Sequence, residues 1–77
     1  MTRRLLSVAR PEPTFGVRVR DRRIALGWPI VEAAQRAGIS PHSWWLVERG
    51  AVDPWSWQGF RMATVLNTSF RVLMGQV

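Results

Sequence analysis

Residues 38–50, "GISPHSWWLVERG", predict one short helix with a recognisable beginning and end. Ser40 is a good N-cap, Pro41 suits the first helical position, and Gly50 suits a left-handed residue after the last turn. Two adjacent tryptophans stand in the middle of this helix. Because neighbouring residues on a helix point about 100° apart, only one of the two can face a core. The outward-facing tryptophan needs a separate explanation.

The composition indicates one small domain without covalent cross-links. The chain has 77 residues and no cysteine, so it has neither a disulfide nor a thiolate metal site. A chain of this size buries only about 60% of the surface that it exposes when unfolded. No apolar run reaches the ~18 residues of a membrane span, and "LLSVA" is too short for the core of a signal peptide. We therefore expect a cytoplasmic protein with no membrane segment.

The charge of the chain is strongly positive. Its formal net charge is +6, and all eleven basic residues are arginines. Arginine binds phosphate through a fork of N–H groups, so a small basic domain makes nucleic acid the first partner to consider. An anionic membrane surface is the second.

The pattern of caps and apolar positions predicts an all-α fold of five short helices. Residues 1–14 contain three arginines and two prolines without a sustained period, and we expect a flexible arm there, ahead of a domain at 15–77. The helices are expected at 15–26, 29–37, 41–48, 54–66 and within "TSFRVLM". The expected caps are Thr14, Ser40, Asp53 and Ser69 at the starts, and Gly27, Gly38 and Gly50 at the ends.

Two of these helices are joined by a very short turn. Ala34 and Gly38 lie four residues apart, and "IS" leads directly from Gly38 into the next helix. The small residue lets the helices cross closely, and glycine can take the positive φ that the turn needs. Together with "FGVRVRDRR", "WPIVEAAQRAGIS", "VERG", "DP" and "LNTSFRVLM", this pair resembles the Cro/repressor-type (XRE-like) helix-turn-helix family over residues 15–74.

The resemblance implies a compact lambda-repressor-like domain whose third helix, 41–48, enters the major groove of double-stranded DNA. Family members commonly dimerise through the region after that helix, and most regulate transcription. By position, Arg23 and Glu48 match a pair that usually forms a salt bridge between the third helix and the scaffold; alternatively, both lie on a solvated surface. We therefore expect a homodimeric, sequence-specific regulator, a phage or prophage Cro-like repressor at the nucleoid of a bacterial cytoplasm.

The DNA-facing positions depart from the family pattern. The second helix begins with Pro29 and Ile30, where the family carries a capping residue and a glutamine, so backbone N–H groups are left to meet a phosphate. Of the residues near the bases, only His42 and Ser43 can hydrogen-bond a base edge. The base-facing positions of the third helix hold Pro41, His42, Trp45 and Leu46. This shortage motivates an alternative function, a protein-binding module of the antitoxin or antirepressor type that uses its tryptophan-rich surface.

Arginines are expected to supply most of the affinity for DNA through phosphate contacts. By position, the candidates in the domain are Arg23, Arg36 and Arg49. The candidates in the arm, which would reach along the backbone or into the minor groove, are Arg3, Arg4 and Arg10.

The two adjacent tryptophans receive different interpretations. Trp44 replaces an aliphatic core residue of the family, and Gly59 on the fourth helix is expected to make room for it. Trp45 points to the other side, where three interpretations stay open: contact with thymine methyl groups and sugars, anchoring of a protein partner, or local cover over the second helix. Further aromatic and apolar residues suggest a homodimer seam at Trp55, Trp57, Phe70 and Met74.

No catalytic, metal or cofactor site is predicted, and no small-molecule ligand. His42 is the only histidine, and its neighbour Ser43 is badly placed on a helix to act with it as a nucleophile and base. The five acidic residues are scattered singly along the chain, so they do not form a metal-binding pattern.

Overall fold

The computed structural model describes residues 14–76, which fold into five helices. They are α1 (Phe15–Ala25), α2 (Ile30–Ala37), α3 (Pro41–Glu48), α4 (Ser56–Val65) and α5 (Phe70–Leu73). The predicted all-α fold of five short helices is confirmed for this part of the chain. Apart from Thr14, the predicted arm with Arg3, Arg4 and Arg10 lies outside the described residues.

Three helices begin at the caps that the sequence predicts. In each, the hydroxyl oxygen of the cap accepts a hydrogen bond from the backbone N–H three residues later: Thr14 for α1, Ser40 for α3 and Ser69 for α5. The N–H groups in the first turn of a helix have no partner within it, so each cap satisfies one of them. The start of α3 is set by Ser40 together with Pro41 at its first position.

The predicted start of α4 is wrong. The helix begins after Trp55, which is its N-cap, and not at Pro54 with Asp53 as the cap. The side chain of Gln58 explains the later start, because its Oε1 accepts the backbone N–H of Trp55 at 3.0 Å.

The predicted bounds 41–48 of α3, the predicted start of α1 and the predicted end of α2 agree with the structure, whereas the end of α1, the start of α2 and the end of α4 differ by one residue. Pro29 is the N-cap of α2, with an extended ψ of 153°, so it is not helical itself. Leu26 and Leu66 are the C-caps of α1 and α4, because a left-handed residue follows each of them and ends the helix there.

Each helix in residues 14–76 ends in the same kind of turn. A left-handed residue is followed by an N–H that donates to the carbonyl five positions earlier, as Ile39 does to Ala34 at 2.9 Å. The glycine that makes this turn, Gly38, has a φ of 71°, and only Ile39 and Ser40 separate it from α3. The left-handed positions are Gly27, Gly38, Gly50, Asn67 and Gly75.

Trp44 is the largest fully buried side chain, which confirms its predicted core position. Its neighbours in the core cluster include three small residues of α2, namely Ala33, Ala34 and Ala37. Because protein interiors are close-packed, these small side chains leave volume for the indole. The remaining members of the cluster are Val19, Ile39, Val47, Met62, Ala63, Leu66 and Leu73.

Gly59 makes room for a different ring from the expected one. A Cβ placed there would overlap the ring of Phe70, whose atoms are the nearest to it, so the expected exchange of volume with Trp44 is wrong. The centroid of the Phe70 ring lies 5.6 Å from that of Phe15 and 4.8 Å from that of Phe60. The missing side chain at Gly59 therefore lets α5 pack against α4 through an aromatic cluster.

Arg22 connects α1 to the end of α4. Its Nε donates to the carbonyl of Leu66 and its Nη2 to the carbonyl of Asn67, both at 2.9 Å. Carbonyls at the end of a helix lack partners within it, so this arginine stabilises the end of α4.

We expect Gly59→Ala to destabilise the protein, and Phe70→Ala to reverse the sign of that effect. In the wild type, an overpacking loss of ~1–3 kcal/mol opposes the ~1 kcal/mol that alanine gains over glycine in a helix. With Phe70→Ala, only the helical gain remains. Urea-induced unfolding measures the four free energies, and Trp44→Phe is the control. The contact between position 59 and the Phe70 ring would be contradicted by either of two results. One is that Gly59→Ala is equally destabilising in the Phe70→Ala background, and the other is that it is no longer destabilising in the Trp44→Phe background.

Candidate nucleic-acid interface

The structure contains the ion pair between Arg23 and Glu48 that the sequence predicts. Nε of Arg23 lies 2.6 Å from Oε2 of Glu48, and Nη2 lies 2.9 Å from Oε1, so the pair is bidentate. The side chains are only 12% and 4% exposed, respectively. The remaining nitrogen, Nη1, donates to the carbonyl of Trp28 at 2.9 Å. Each of the three guanidinium nitrogens therefore donates one hydrogen bond within the protein.

The carboxylate of Glu48 also accepts a hydrogen bond from the core tryptophan. Nε1 of Trp44 donates to Oε2 of Glu48 at 2.6 Å, one helical turn away on α3. A buried charge is tolerated only where donors surround it, and here three N–H groups do so. The indole of Trp44 thus fills the core and stabilises the ion pair at once.

Pairing with Glu48 raises the pKa of Arg23 above its ordinary value. The hydrogen bond to the Glu48 side chain is the main cause, burial opposes it, and the attraction between the charges adds to it. A basic group whose pKa is higher in the folded state than in the unfolded state adds to the free energy of unfolding. That contribution is full at a pH below the pKa of the unfolded state, and it is lost as the pH rises through the pKa of the folded state. The arginine therefore introduces no pH dependence of stability near neutrality.

The backbones of α1 and α3 approach closely at Gly16. A Cβ there would overlap the carbonyl oxygen of Val47. This contact and the Arg23–Glu48 pair both hold the C-terminal end of α3, so the inner face of α3 is fixed against α1.

The opposite face of α3 is open, and we call it the α3 outer face; it comprises Pro41, His42, Trp45, Leu46 and Arg49. Trp45 lies at its centre and is 42% exposed. The ring of His42 stacks on Trp45, with the centroids 5.9 Å apart and the planes inclined by 21°. Cζ of Arg49 lies 4.7 Å from the centroid of the Trp45 indole, a cation–π arrangement.

Between the α3 outer face and α1 lies an open cleft of about 550 Å³. It brings together five residues that the sequence singles out, and its sixth lining residue is Arg20. The five are Arg23, Ile30, Trp45, Glu48 and Arg49. The start of α2 borders the cleft at Ile30, and no side chain caps this helix. Its first N–H groups and the positive end of its dipole therefore favour an anion there.

Sequence reasoning missed Arg20, an exposed residue of α1 that lines the cleft. Its position three residues before Arg23 was the available signal, because residues three apart on a helix share a face.

Two predicted contact residues are placed differently. Arg36 lies with Phe60 and Arg61 in a separate groove between α2 and α4, where its Cζ is 4.2 Å from the centroid of the Trp28 ring. Ser43 belongs to the N-terminal cap of α3, since its hydroxyl oxygen accepts a hydrogen bond from that of Ser40 at 2.9 Å.

Most of the predicted seam residues are exposed. Trp55 is 72% exposed, and Trp57 and Met74 are also exposed, whereas Phe70 is half-buried in the aromatic cluster over Gly59. Sequence reasoning missed Phe60, which is exposed and lies three residues after Trp57 on α4.

Within residues 14–76, no three histidine, aspartate or glutamate side chains are grouped closely enough to hold a metal ion. None of the helices described has the length and apolar character needed to cross a membrane.

Comparison with known proteins establishes the family. A family of helix-turn-helix domains matches residues 14–69. The chain belongs to the repressor-type (XRE-like) helix-turn-helix family. In this helix-turn-helix domain, α2 and α3 form the motif, and the turn at Gly38 joins them. No curated protein matches the chain.

Solved structures of regulators share the fold. The restriction-modification controller protein C.AhdI from Aeromonas hydrophila is 30% identical, with a TM-score of 0.74 over 77% of this chain and 89% of that one. The P22 c2 repressor, in complex with synthetic operator 9T, is 22% identical, with a TM-score of 0.77 over 80% and 94% of the chains. SinR, a master regulator for biofilm formation solved in complex with DNA, is 24% identical, with a TM-score of 0.74 over 78% and 97%. The lambda-repressor-like fold is confirmed.

We expect Arg23→Ala and Glu48→Ala to couple strongly in a double-mutant cycle. Each single change leaves a buried charge without its partner, at a loss of up to ~3–5 kcal/mol, and the double change removes both charges. Urea unfolding measures the free energies. The exposed pair Glu32–Arg36, at 3.4 Å, is the matched control and should couple by only about 0.3–0.5 kcal/mol. Additive losses at Arg23 and Glu48 would contradict the buried pair.

Proposed function

We propose that this chain is a transcriptional regulator of the repressor type, of the short phage or prophage Cro-like kind, which binds double-stranded DNA with α3 in the major groove as a homodimer. The observation that carries the proposal is the division of α3 into two faces. Trp44, Val47 and Glu48 are buried and fix the helix, while the α3 outer face is open beside a cleft lined by arginines.

The size of α3 supports a major-groove position. An α-helix with its side chains is about 10–12 Å in diameter, and the major groove, about 12 Å wide, admits one. The buried ion pair of Glu48 with Arg23 fixes the inner face of α3 against α1, so the α3 outer face is a rigid surface. Rigid presentation lowers the entropy lost on binding.

The cleft supports a phosphate contact at the edge of that groove. Arg20 and Arg49 are exposed and line it, and so does Ile30 at the uncapped start of α2. Phosphate contacts of this kind set the register of a protein on DNA and supply most of its salt-dependent affinity. Arg23 is assigned a positioning role, because three of its five guanidinium N–H groups are donated to Glu48 and Trp28. Arg36 is assigned to the groove between α2 and α4.

The exposed aromatic surface of α4 supports a homodimer. Trp55, Trp57 and Phe60 expose large apolar side chains close together in sequence, and Met74 after α5 adds another. Contiguous apolar patches on a small protein mark interaction sites, and tryptophan is enriched among the residues that dominate binding energy. A two-fold dimer would present two copies of α3 to two half-sites of DNA.

Selection of bound sequences from a random duplex pool, at two salt concentrations, tests the proposal as a whole. A palindromic motif is the expected result, because a two-fold dimer reads two inverted half-sites. Salt-sensitive binding without a motif, or no binding to duplex DNA at all, would contradict a sequence-specific regulator.

We expect Arg49→Ala to weaken binding to unspecific duplexes as well as to specific ones. Loss of one phosphate contact should reduce the slope of log K against log salt concentration by about one unit. Fluorescence anisotropy over a salt series measures that slope. Arg71→Ala on α5 is the matched control, since it removes the same charge from an exposed residue outside the cleft. Equal slopes for Arg49→Ala and the wild type would show that Arg49 does not contact a phosphate.

We expect Trp57→Ser to convert the homodimer to a monomer without unfolding it, because this side chain is half-exposed in the described chain and buried only in the proposed seam. Sedimentation equilibrium measures the change in mass, and circular dichroism checks the helices. Ile24→Ser removes a similarly exposed apolar side chain from α1 and should leave the association state unchanged. A wild-type protein that is monomeric at micromolar concentration, both free and on DNA, would contradict the seam.

A further inference from the structure

The chemistry of the α3 outer face matches one particular feature of a base pair. Apart from the indole N–H, only two residues of this face carry hydrogen-bonding side chains, His42 and Arg49, and both lie against the indole of Trp45. The centre of the face is apolar surface from the exposed indole of Trp45 and the partly exposed Leu46. In the major groove, the bases present hydrogen-bonding groups and a single kind of apolar group, the C5 methyl of thymine.

We propose that Trp45, together with Leu46, recognises the C5 methyl group of a pyrimidine in the major groove. This inference rests on the proposed function, because it requires α3 to enter that groove. Thymine and 5-methylcytosine carry the methyl group at the same place on the groove edge, whereas uracil and unmodified cytosine lack it. The recognised feature is therefore the methyl group itself.

The indole that makes this contact is already held in position in the free protein. His42, Trp45 and Arg49 are spaced three and four residues apart, so they share one face of the helix. The His42 ring and the Arg49 guanidinium both lie against the indole, with centroid distances of 5.9 Å and 4.7 Å. A side chain that is ordered before binding loses little rotamer freedom on binding. The free energy of a contact with one methyl group is therefore not offset by lost side-chain entropy, and it changes the measured affinity.

The N–H group of the Trp45 indole does not discriminate between base pairs as a methyl contact does. Nε1–H of Trp45 is a donor only, and every base pair offers it an acceptor, because N7 is present on both adenine and guanine. A hydrogen bond from Nε1 therefore tolerates any base pair. A methyl contact, in contrast, separates two bases whose hydrogen-bonding groups are identical, as in thymine and uracil.

The test uses duplexes that differ by single methyl groups. The palindromic duplex recovered by selection is synthesised with each thymine in turn replaced by deoxyuridine, and Kd is measured for the full chain. Burial of one methyl-sized group corresponds to about a fourfold change in Kd. We expect about fourfold weaker binding at one or more positions in each half-site. At the same positions, 5-methylcytosine should bind about fourfold more tightly than cytosine.

Two variants show whether Trp45 is responsible. Trp45→Ala should fold, since the side chain is substantially exposed, and should bind the thymine and uracil duplexes equally. Ile24→Ser, which changes an exposed apolar residue on α1, should keep the preference for the methyl group. Equal affinities of the wild type for thymine and uracil at every position, or a preference that persists in Trp45→Ala, would overturn the inference while the proposed function stands. If selection recovers no motif, the proposed function fails and the inference fails with it.

Discussion

The carboxylate of Glu48 determines where α3 lies in this domain. It is almost completely buried, and a charge left unpaired there would remove several kcal/mol from a fold whose total stability is of order 5–15 kcal/mol. Donors reach it from two directions: the guanidinium of Arg23 on α1, and the indole of Trp44 on α3 itself. Because Arg23 also bonds the carbonyl of Trp28, the same network extends to the segment before α2. A shift of α3 away from α1 would break both Arg23–Glu48 hydrogen bonds together and leave the buried carboxylate with Trp44 as its remaining donor, so the pair selects one orientation of the motif.

Local signals made much of this fold predictable. The hydroxyl caps at Thr14, Ser40 and Ser69 act within three residues, so the chain itself contains everything that defines them. The turn at Gly38 is similarly local, because it depends on a backbone conformation that glycine adopts without strain. The Arg23–Glu48 pair spans 25 residues and came from the family resemblance; no local pattern connects the two side chains.

Two of the features that sequence reasoning missed depend on which distant groups meet. Gly59 could accommodate any large ring, and only the packing of α5 decides that this ring belongs to Phe70. At the start of α4, Asp53 was a good local candidate, yet the amide of Gln58 moved the cap to Trp55. Arg20 looked like one of several surface arginines until the approach of α1 to α3 placed it on the cleft. For Gly59 and Arg20 the deciding contacts lie between elements, and a one-dimensional pattern does not contain them. The cap of α4 is local, and there two neighbouring candidates competed.

The two faces of α3 differ in how freely evolution can change them. Replacement of Trp44, Val47 or Glu48 disturbs the core or the ion-pair network, so selection for folding constrains the inner face. The residues of the outer face after Pro41 contribute little to either, and the caps of the helix lie outside them at Ser40 and Gly50. A lineage can therefore vary the outer face step by step while each intermediate still folds. The same scaffold can in this way acquire new binding preferences without passing through an unfolded ancestor.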